Sequence, residues 1–552
     1  MRRFLSFMTR PLLWLTEARW SLRLGRRGML RVTLEQDMRL VQRAAMLTAL
    51  RRAGRDPRVK AILLDVRAIP GGWAFGDALR GVLEEVRGTG TGVYMYLEEA
   101  SLASLWLASA ADRIWMPPLA HVLLQGVSST MLFVGGVLSR YGVEVEFEAV
   151  GDYKSAAERF ARTHPTPKGR LATQELLSDL QARVVHDIAD GRRIDEVTIA
   201  SAMRRSLLTA DEAVSAGLID RIGYRDAFDD WLEEHHGGRL RRVSFAIWQR
   251  RTRFLKWSEG LRSRAAVAVV HLEGTISASP GEAGRGISPE ATERTLERLR
   301  EHPGVSAVVL HINSPGGSAE GSDRIARSVE RLAEEKPVVA VYADVSASGG
   351  VMLSSPATEV IAHEATITGS IGVIGGKVMV GRALGRLGLH AQSVQADAGS
   401  GMLSPYRRFT EAERSRFRSV MEETYRAFVE RVATGRGLSV DAVEPHCGGR
   451  VWTGRAALER ELVDRLGGLE EGVRSACRLC GVLRPDTQVL HVEPNRGNVV
   501  QRARQRFGLR MRASAWGALS GRFLEADLAT LALVQDRPGA PLCLSPWVVD
   551  RL

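Results

Sequence analysis

Four short runs in the second half of the chain are apolar and rich in β-branched residues: AVAVVHLEG (266–274), AVVLHIN (307–313), VVAVYAD (338–344) and EVIAHEATIT (359–368). Between them stand PEATERTLERLREH (289–302) and SDRIARSVERLAEE (322–335), whose apolar residues recur at helical spacing. Apolar strands alternating with amphipathic helices predict an α/β fold, a parallel or mixed sheet covered by helices.

The pattern occurs twice. AILLDVRAIPGGW (61–73) returns as AVVLHINSPGGSA (307–319), and SLASLWLASAADRIWM (101–116) matches ASGGVMLSSPATEVIA (347–362). LLTADEAVSAGLIDRIG (207–223) returns as VWTGRAALERELVDRLG (451–467), and the offset stays between 244 and 246 throughout. That constancy predicts two homologous α/β units in tandem, over 40–240 and 264–490. The rest divides into a basic amphipathic segment (1–39), an Arg-rich connector (241–263) and an Arg-rich tail (491–552).

Composition narrows the class without deciding it. At 552 residues, 45% hydrophobic and 25% charged, the chain is neither disordered, collagen-like nor coiled-coil. Four cysteines, Cys447, Cys477, Cys480 and Cys543, cannot staple a chain this long. The Cys477-x-x-Cys480 pair lacks a second such pair or nearby histidines, so it reads as a helix burying both thiols, with no metal and no cofactor expected.

Charge matters by its location. Of the net +12, residues 1–31 carry +7 (eight Arg against Glu17), and residues 496–522 carry seven Arg and no acid. Two basic ends on a near-neutral body argue against nucleic acid and for a local surface. Both ends interleave Arg with bulky apolar residues, as helices lying in a lipid interface do; a pair of solvated arms is the alternative. The longest apolar run near the start, Leu12–Leu15, is far short of the roughly 20 residues a spanning helix requires. No cleavable signal is evident either. The expectation is a protein peripheral to a membrane on its cytoplasmic side.

Three places carry candidate chemistry. In Asn313-Ser314-Pro315-Gly316-Gly317-Ser318, backbone N–H groups on residues without side chains can approach an oxyanion closely; a tight turn explains the same residues. In Ser346-Ala347-Ser348-Gly349-Gly350, the serine can open a helix with its Oγ free beside the Gly349 N–H, or simply cap that helix. His363 stands in a strand with no acid partner evident, which argues against a Ser-His-Asp triad. Lysine is the other base, and only six of 76 basic residues are Lys: Lys60, Lys154, Lys168, Lys256, Lys336 and Lys377. A retained Lys hints at proton transfer, because Arg cannot lose its proton whereas a buried Lys can. Lys154 follows a strand and precedes a helix, while the other five have blander settings.

GDYKSAAERF, INSPGGS, SASGG, ITGSIGVIG and GRVWTGRAALERELVDRLGG, in that order, make residues 40–490 resemble the long, tandem-domain form of signal peptide peptidase, or protease IV. These are Ser-Lys peptidases with the fold of the crotonase and Clp-protease superfamily. The resemblance implies Ser348 as nucleophile, Lys154 as general base and Ser370 as the residue orienting the lysine amine. It also implies oxyanion donors among Gly316, Gly317 and Gly349, hydrophobic peptides such as cleaved signal peptides as substrates, and a homo-oligomer, a tetramer. At the repeat offset Ser348 falls opposite Leu102 and Lys154 opposite Ala398, so each unit keeps one of the two residues. The chain departs from the family in Val351 and Met352, where aromatic residues usually follow, and in lacking an N-terminal membrane-spanning anchor. Two other readings stay open: an acyl-CoA enzyme of the same superfamily, and a non-catalytic membrane-associated scaffold.

Overall fold

The computed structural model describes residues 27–34, 38–250, 266–278, 286–395, 397, 401–482, 488–494 and 542–544. Six parallel strands form the first sheet, in the order Arg241–Ser244, Gly28–Leu34, Val59–Val66, Gly92–Tyr96, Arg113–Met116, Arg221–Ile222. The second sheet repeats that order in parallel: Gln488–Val492, Ala266–Glu273, Val305–Ser314, Val338–Ala347, Glu359–Ala362, Arg465–Leu466. It adds Ile367–Gly369 and, antiparallel to that, Val451–Thr453. The repeat in the sequence is therefore a repeat of topology, and the chain is an α/β protein whose two parallel sheets, one in each half, are covered by helices.

Burial explains why the strands read as continuous apolar runs. Both faces are covered, as parallel sheets require: Val308, Leu310 and Ile312 pack into one cluster of the second half, and Ala307 and Val309 into another. The helices predicted between these strands run Pro289–Glu301, N-capped by Ser288 with proline in the first turn, and Ala319–Ala333, N-capped by Ser318.

Three expectations change. Gly28–Leu34, inside the stretch expected to be a basic amphipathic segment, is a strand of the first sheet that buries Met29, Leu30, Val32 and Leu34. Arg241–Ser244, expected as connector, is the edge strand beside it, and Trp248 follows, buried, donating from Nε1 to the Ala49 carbonyl at 2.8 Å. Cys477 is buried in the helix Leu469–Leu479, but Cys480 lies just past that helix's end and is half-buried. The Arg-rich stretches 1–26 and 496–522 lie outside the described residues.

The two halves meet through backbone and charge. Glu144–Val150 of the first half pairs antiparallel with Val373–Met379 of the second. Arg43, buried in the first half, forms ion pairs with Asp344 and Glu273 of the second, and Asp344 also accepts from the Phe75 amide at 2.8 Å. Removing one partner of such a buried pair costs about 3–5 kcal/mol, which fixes the halves in register.

Candidate active site

The strand Val338–Ala347 ends in a sharp turn at Ser348, with φ 54° and ψ −114°, and the helix Gly349–Ser354 begins there. A non-glycine residue in this region is strained and persists only where its surroundings hold it. Here the Ser348 amide donates to the Gly369 carbonyl at 2.8 Å, and its own carbonyl accepts from the Val351 and Met352 amides at 2.9 and 3.0 Å. The Oγ makes no capping hydrogen bond, so the N-cap alternative does not describe this serine. Ser348 is fully buried.

Lys154 comes from the other half. Its loop follows the cross-paired strand Glu144–Val150 and is docked onto 447–449: the Tyr153 amide donates to the Gly448 carbonyl at 2.8 Å, and Gly151 lies against Gly448. Gly449, at φ +84°, stands where a Cβ would come within 2.7 Å of the Lys154 Cα. The lysine is 4% exposed, and its Nζ lies 2.8 Å from Ser348 Oγ, 2.8 Å from the Ser370 carbonyl oxygen and 3.1 Å from Ser370 Oγ. Ser370 is also at positive φ, 53°, and its amide donates to the Arg450 carbonyl at 2.6 Å.

The glycines sit beside this cluster. Gly316–Ser318 is a short strand rather than only a turn; Gly317 has φ +153°, and a Cβ there would collide with the Ile276 carbonyl. The Gly316 amide is engaged with Ser314 Oγ at 3.1 Å. Gly349 and Gly350 open their helix, so their N–H groups have no partner within it. At Gly349 a Cβ would strike Ser322 Oγ and lie 3.3 Å from the Gly316 Cα, so the two glycine segments approach closely here.

His363 is elsewhere and does have an acid partner. Its Nδ1 lies 3.6 Å from Asp77 Oδ2 of the first half, which the sequence could not reveal because the two meet only through the interface. Burial works against the Asp77 carboxylate, but the His363 hydrogen bond and Arg183 hold it below the usual range. The pair lines a separate cavity of about 580 Å³ with Arg51, Arg183 and His491.

Sequence reasoning passed over two features. Lys377 has no bland setting: it is 1% exposed, donates from Nζ to the Met402 carbonyl at 2.8 Å and lies 4.0 Å over the Phe409 ring. Burial pushes its amine down, against Glu146. Of the Gly448-Gly449 pair that cradles Lys154, only Gly449 stands in a motif, as the start of GRVW.

A serine on a strained strand-to-helix turn, a buried amine within hydrogen-bond reach and the amides that open the helix beside it are the constellation of a serine hydrolase. The profile of peptidase family S49 matches residues 86–238 and 330–482, one match in each half. The chain belongs to peptidase family S49. It is 27% identical over 431 residues to the chloroplastic serine protease SPPA of Arabidopsis thaliana, covering 77% of this chain and 64% of that protein. Protease 4 of Salmonella typhi is 28% identical over 454 residues, 79% of this chain and 71% of that protein. Protease 4 of Haemophilus influenzae is 28% identical over 458 residues, covering 80% and 73%. Among solved structures, ClpP1 from Listeria monocytogenes overlaps 40% of this chain and 98% of its own with a TM-score of 0.24 and 14% identity.

Proposed function

We propose that the chain is a serine endopeptidase that hydrolyses apolar peptides, such as cleaved signal peptides, with Ser348 as nucleophile and Lys154 as general base. The observation that carries this reading is the buried 2.8 Å contact between Lys154 Nζ and Ser348 Oγ, made between the two halves. A neutral amine has one lone pair and two N–H groups. The lone pair accepts the Ser348 hydroxyl proton, and the two N–H groups suit the Ser370 carbonyl and Oγ. Attack by Ser348 Oγ on the peptide carbonyl forms a tetrahedral oxyanion, which amides of Gly317 and Gly349 stabilise, the Gly316 amide expected beside them being taken by Ser314 Oγ; one such donor is typically worth about 3 kcal/mol. The lysine then returns the proton to the leaving amine, and water, deprotonated by the same lysine, releases the acyl group. Because Lys154 belongs to the first half and Ser348 to the second, we assign one catalytic residue to each unit, and neither unit alone would cleave.

Among the described residues no helix is long and apolar enough to cross a membrane. We infer attachment from the cytoplasmic side through the basic termini, and assembly into a homo-oligomer, a tetramer by the family resemblance. The acyl-CoA reading leaves the Lys154–Ser348 contact without a role, and a scaffold needs no strained serine.

Hydrolysis of a quenched fluorogenic peptide with a Leu/Ala-rich core, in detergent, tests the peptidase. Ser348→Ala and Lys154→Ala should each lose at least about a thousand-fold in rate. Equal cleavage by wild type and Ser348→Ala would remove Ser348 from the mechanism.

A further inference from the structure

The strand Gly316–Ser318 has two edges. One is held by the second half itself, with Gly317 paired to Ile276. The other takes the chain's own C-terminal segment: Leu542–Leu544 runs antiparallel to it, with Gly316 opposite Leu544, Gly317 opposite Cys543 and Ser318 opposite Leu542. The same three residues reach the strand Val373–Met379, where Ile374 is opposite Leu542. They also lie against the helix Gly349–Ser354 that Ser348 opens. Leu542–Leu544 thus bridges two strands that form no ladder with each other, at the place where the glycines and the serine meet.

We propose that residues 542–544 are a tethered ligand of the peptide groove, an added antiparallel strand that occupies the place a substrate must take and that substrate has to displace. The inference rests on the peptidase reading and concerns how that site is regulated. Three arguments carry it. An open edge bearing unpaired N–H and C=O groups recruits extended peptide through its backbone, whatever the side chains. The register brings Leu544 opposite Gly316, the residue whose Cα abuts Gly349, so the bound segment passes directly by the nucleophile's turn. The surrounding sequence, Ala540-Pro541-Leu542-Cys543-Leu544-Ser545-Pro546, is uncharged and mostly apolar, the same chemistry as the apolar peptides proposed as substrates. A segment of the same chain competes as an intramolecular ligand, so dilution of the protein does not release it.

The test uses the full chain and a full-chain variant carrying Leu542→Pro and Leu544→Pro, which removes two backbone donors from the added strand. On the fluorogenic peptide the proline variant should show kcat/KM raised by about five-fold or more, mainly through a lower KM, at every protein concentration. A second arm needs no hydrolysis. With Ser348→Ala in both backgrounds, a labelled peptide of sequence 538–548 should bind the proline variant at least about ten-fold more tightly than the native tail. Equal KM values together with equal peptide binding overturn the tethered strand while leaving the peptidase standing. Should nothing be hydrolysed by any variant, the peptidase reading fails by itself, and the binding arm still decides whether the tail fills the groove. An activation that disappears on dilution of the native chain would overturn the intramolecular arrangement in favour of a tail supplied by a second copy.

Discussion

Ser370 reaches the Lys154 amine through two different atoms, its carbonyl oxygen at 2.8 Å and its Oγ at 3.1 Å. The carbonyl survives any substitution, so the proposed orienting role of the hydroxyl can be isolated. Ser370 stands at φ 53°, where alanine is strained and glycine is not. Ser370→Ala and Ser370→Gly should both lower kcat, by about 10–100-fold for one hydrogen bond to a catalytic group, with KM unchanged. If Ser370→Gly keeps wild-type kcat, only backbone strain was at stake and the hydroxyl orients nothing. Legibility at this scale depended on residue type. Lys154 stood out because the sequence uses Arg nearly everywhere else, and Ser348 because two glycines follow it; Ser370 came only through resemblance. Lys377 was unreadable, since its acceptor Met402 and its ring partner Phe409 arrive from a loop that no local pattern ties to its strand.

Single strands carry a second kind of information. His271, His311 and His491 stand on three neighbouring parallel strands of the second sheet: His271 Nδ1 is 3.1 Å from His311 Nδ1, and its Nε2 is 2.9 Å from His491 Nδ1. Burial, then the neighbouring His491, pushes His271 down to about 3, and burial with His271 and Arg43 holds His311 well below its ordinary range. A histidine kept neutral in the fold binds fewer protons there than in the unfolded chain, so this stability is full above the unfolded value near 6.5 and is lost as pH falls towards 3. At pH 5 the loss approaches about 2 kcal/mol for His271. Urea unfolding should therefore show a lower midpoint at pH 5 than at pH 7.5, and His311→Gln should flatten that difference; a wild type equally stable at both values would exclude the effect. The strands bearing these histidines were legible as strands, because apolar residues on both faces leave few other assignments. Gly28–Leu34 and Arg241–Ser244 were not, because arginines on exposed positions, such as Arg31 paired with Asp65, gave them the composition of basic tails.

At the scale of the whole molecule the repeat places the joining elements twice. Within the chain, Glu144–Val150 pairs with Val373–Met379, Arg382 binds Glu144 at 2.6 Å, and Gly142 sits so close to the Ala383 backbone nitrogen that a Cβ would come within 2.7 Å. Shifted by the offset of 246, the same elements recur with their roles exchanged: 390–395 corresponds to the first strand, 127–133 to the second, and Gly388 to Gly142. The helices Gly135–Arg140 and Gly381–Arg386 correspond at that same offset. Yet 127–133 and 390–395 have no strand partner among the described residues, and nothing lies within 4 Å of a Cβ placed on Gly388. Leu132, Val137, Leu389 and Val394 are exposed there. The surface that joins the halves is thus used once and left open once, half of it on each unit. The proposed homo-oligomer would use these two stretches to join neighbouring copies head to tail, a contact that builds a ring when its rotation closes. The proposed homo-oligomer should therefore depend on these stretches: Val137→Asp and Val394→Asp, each placing a charge in the apolar seam, should shift the chain from oligomer to monomer in light scattering. Neither change touches the Lys154–Ser348 contact, so the variants would report whether that contact suffices for cleavage outside the ring. A wild type that is monomeric, or charged variants that assemble as it does, would show that the second use of the surface was lost together with Ala398 and Leu102 as catalytic positions.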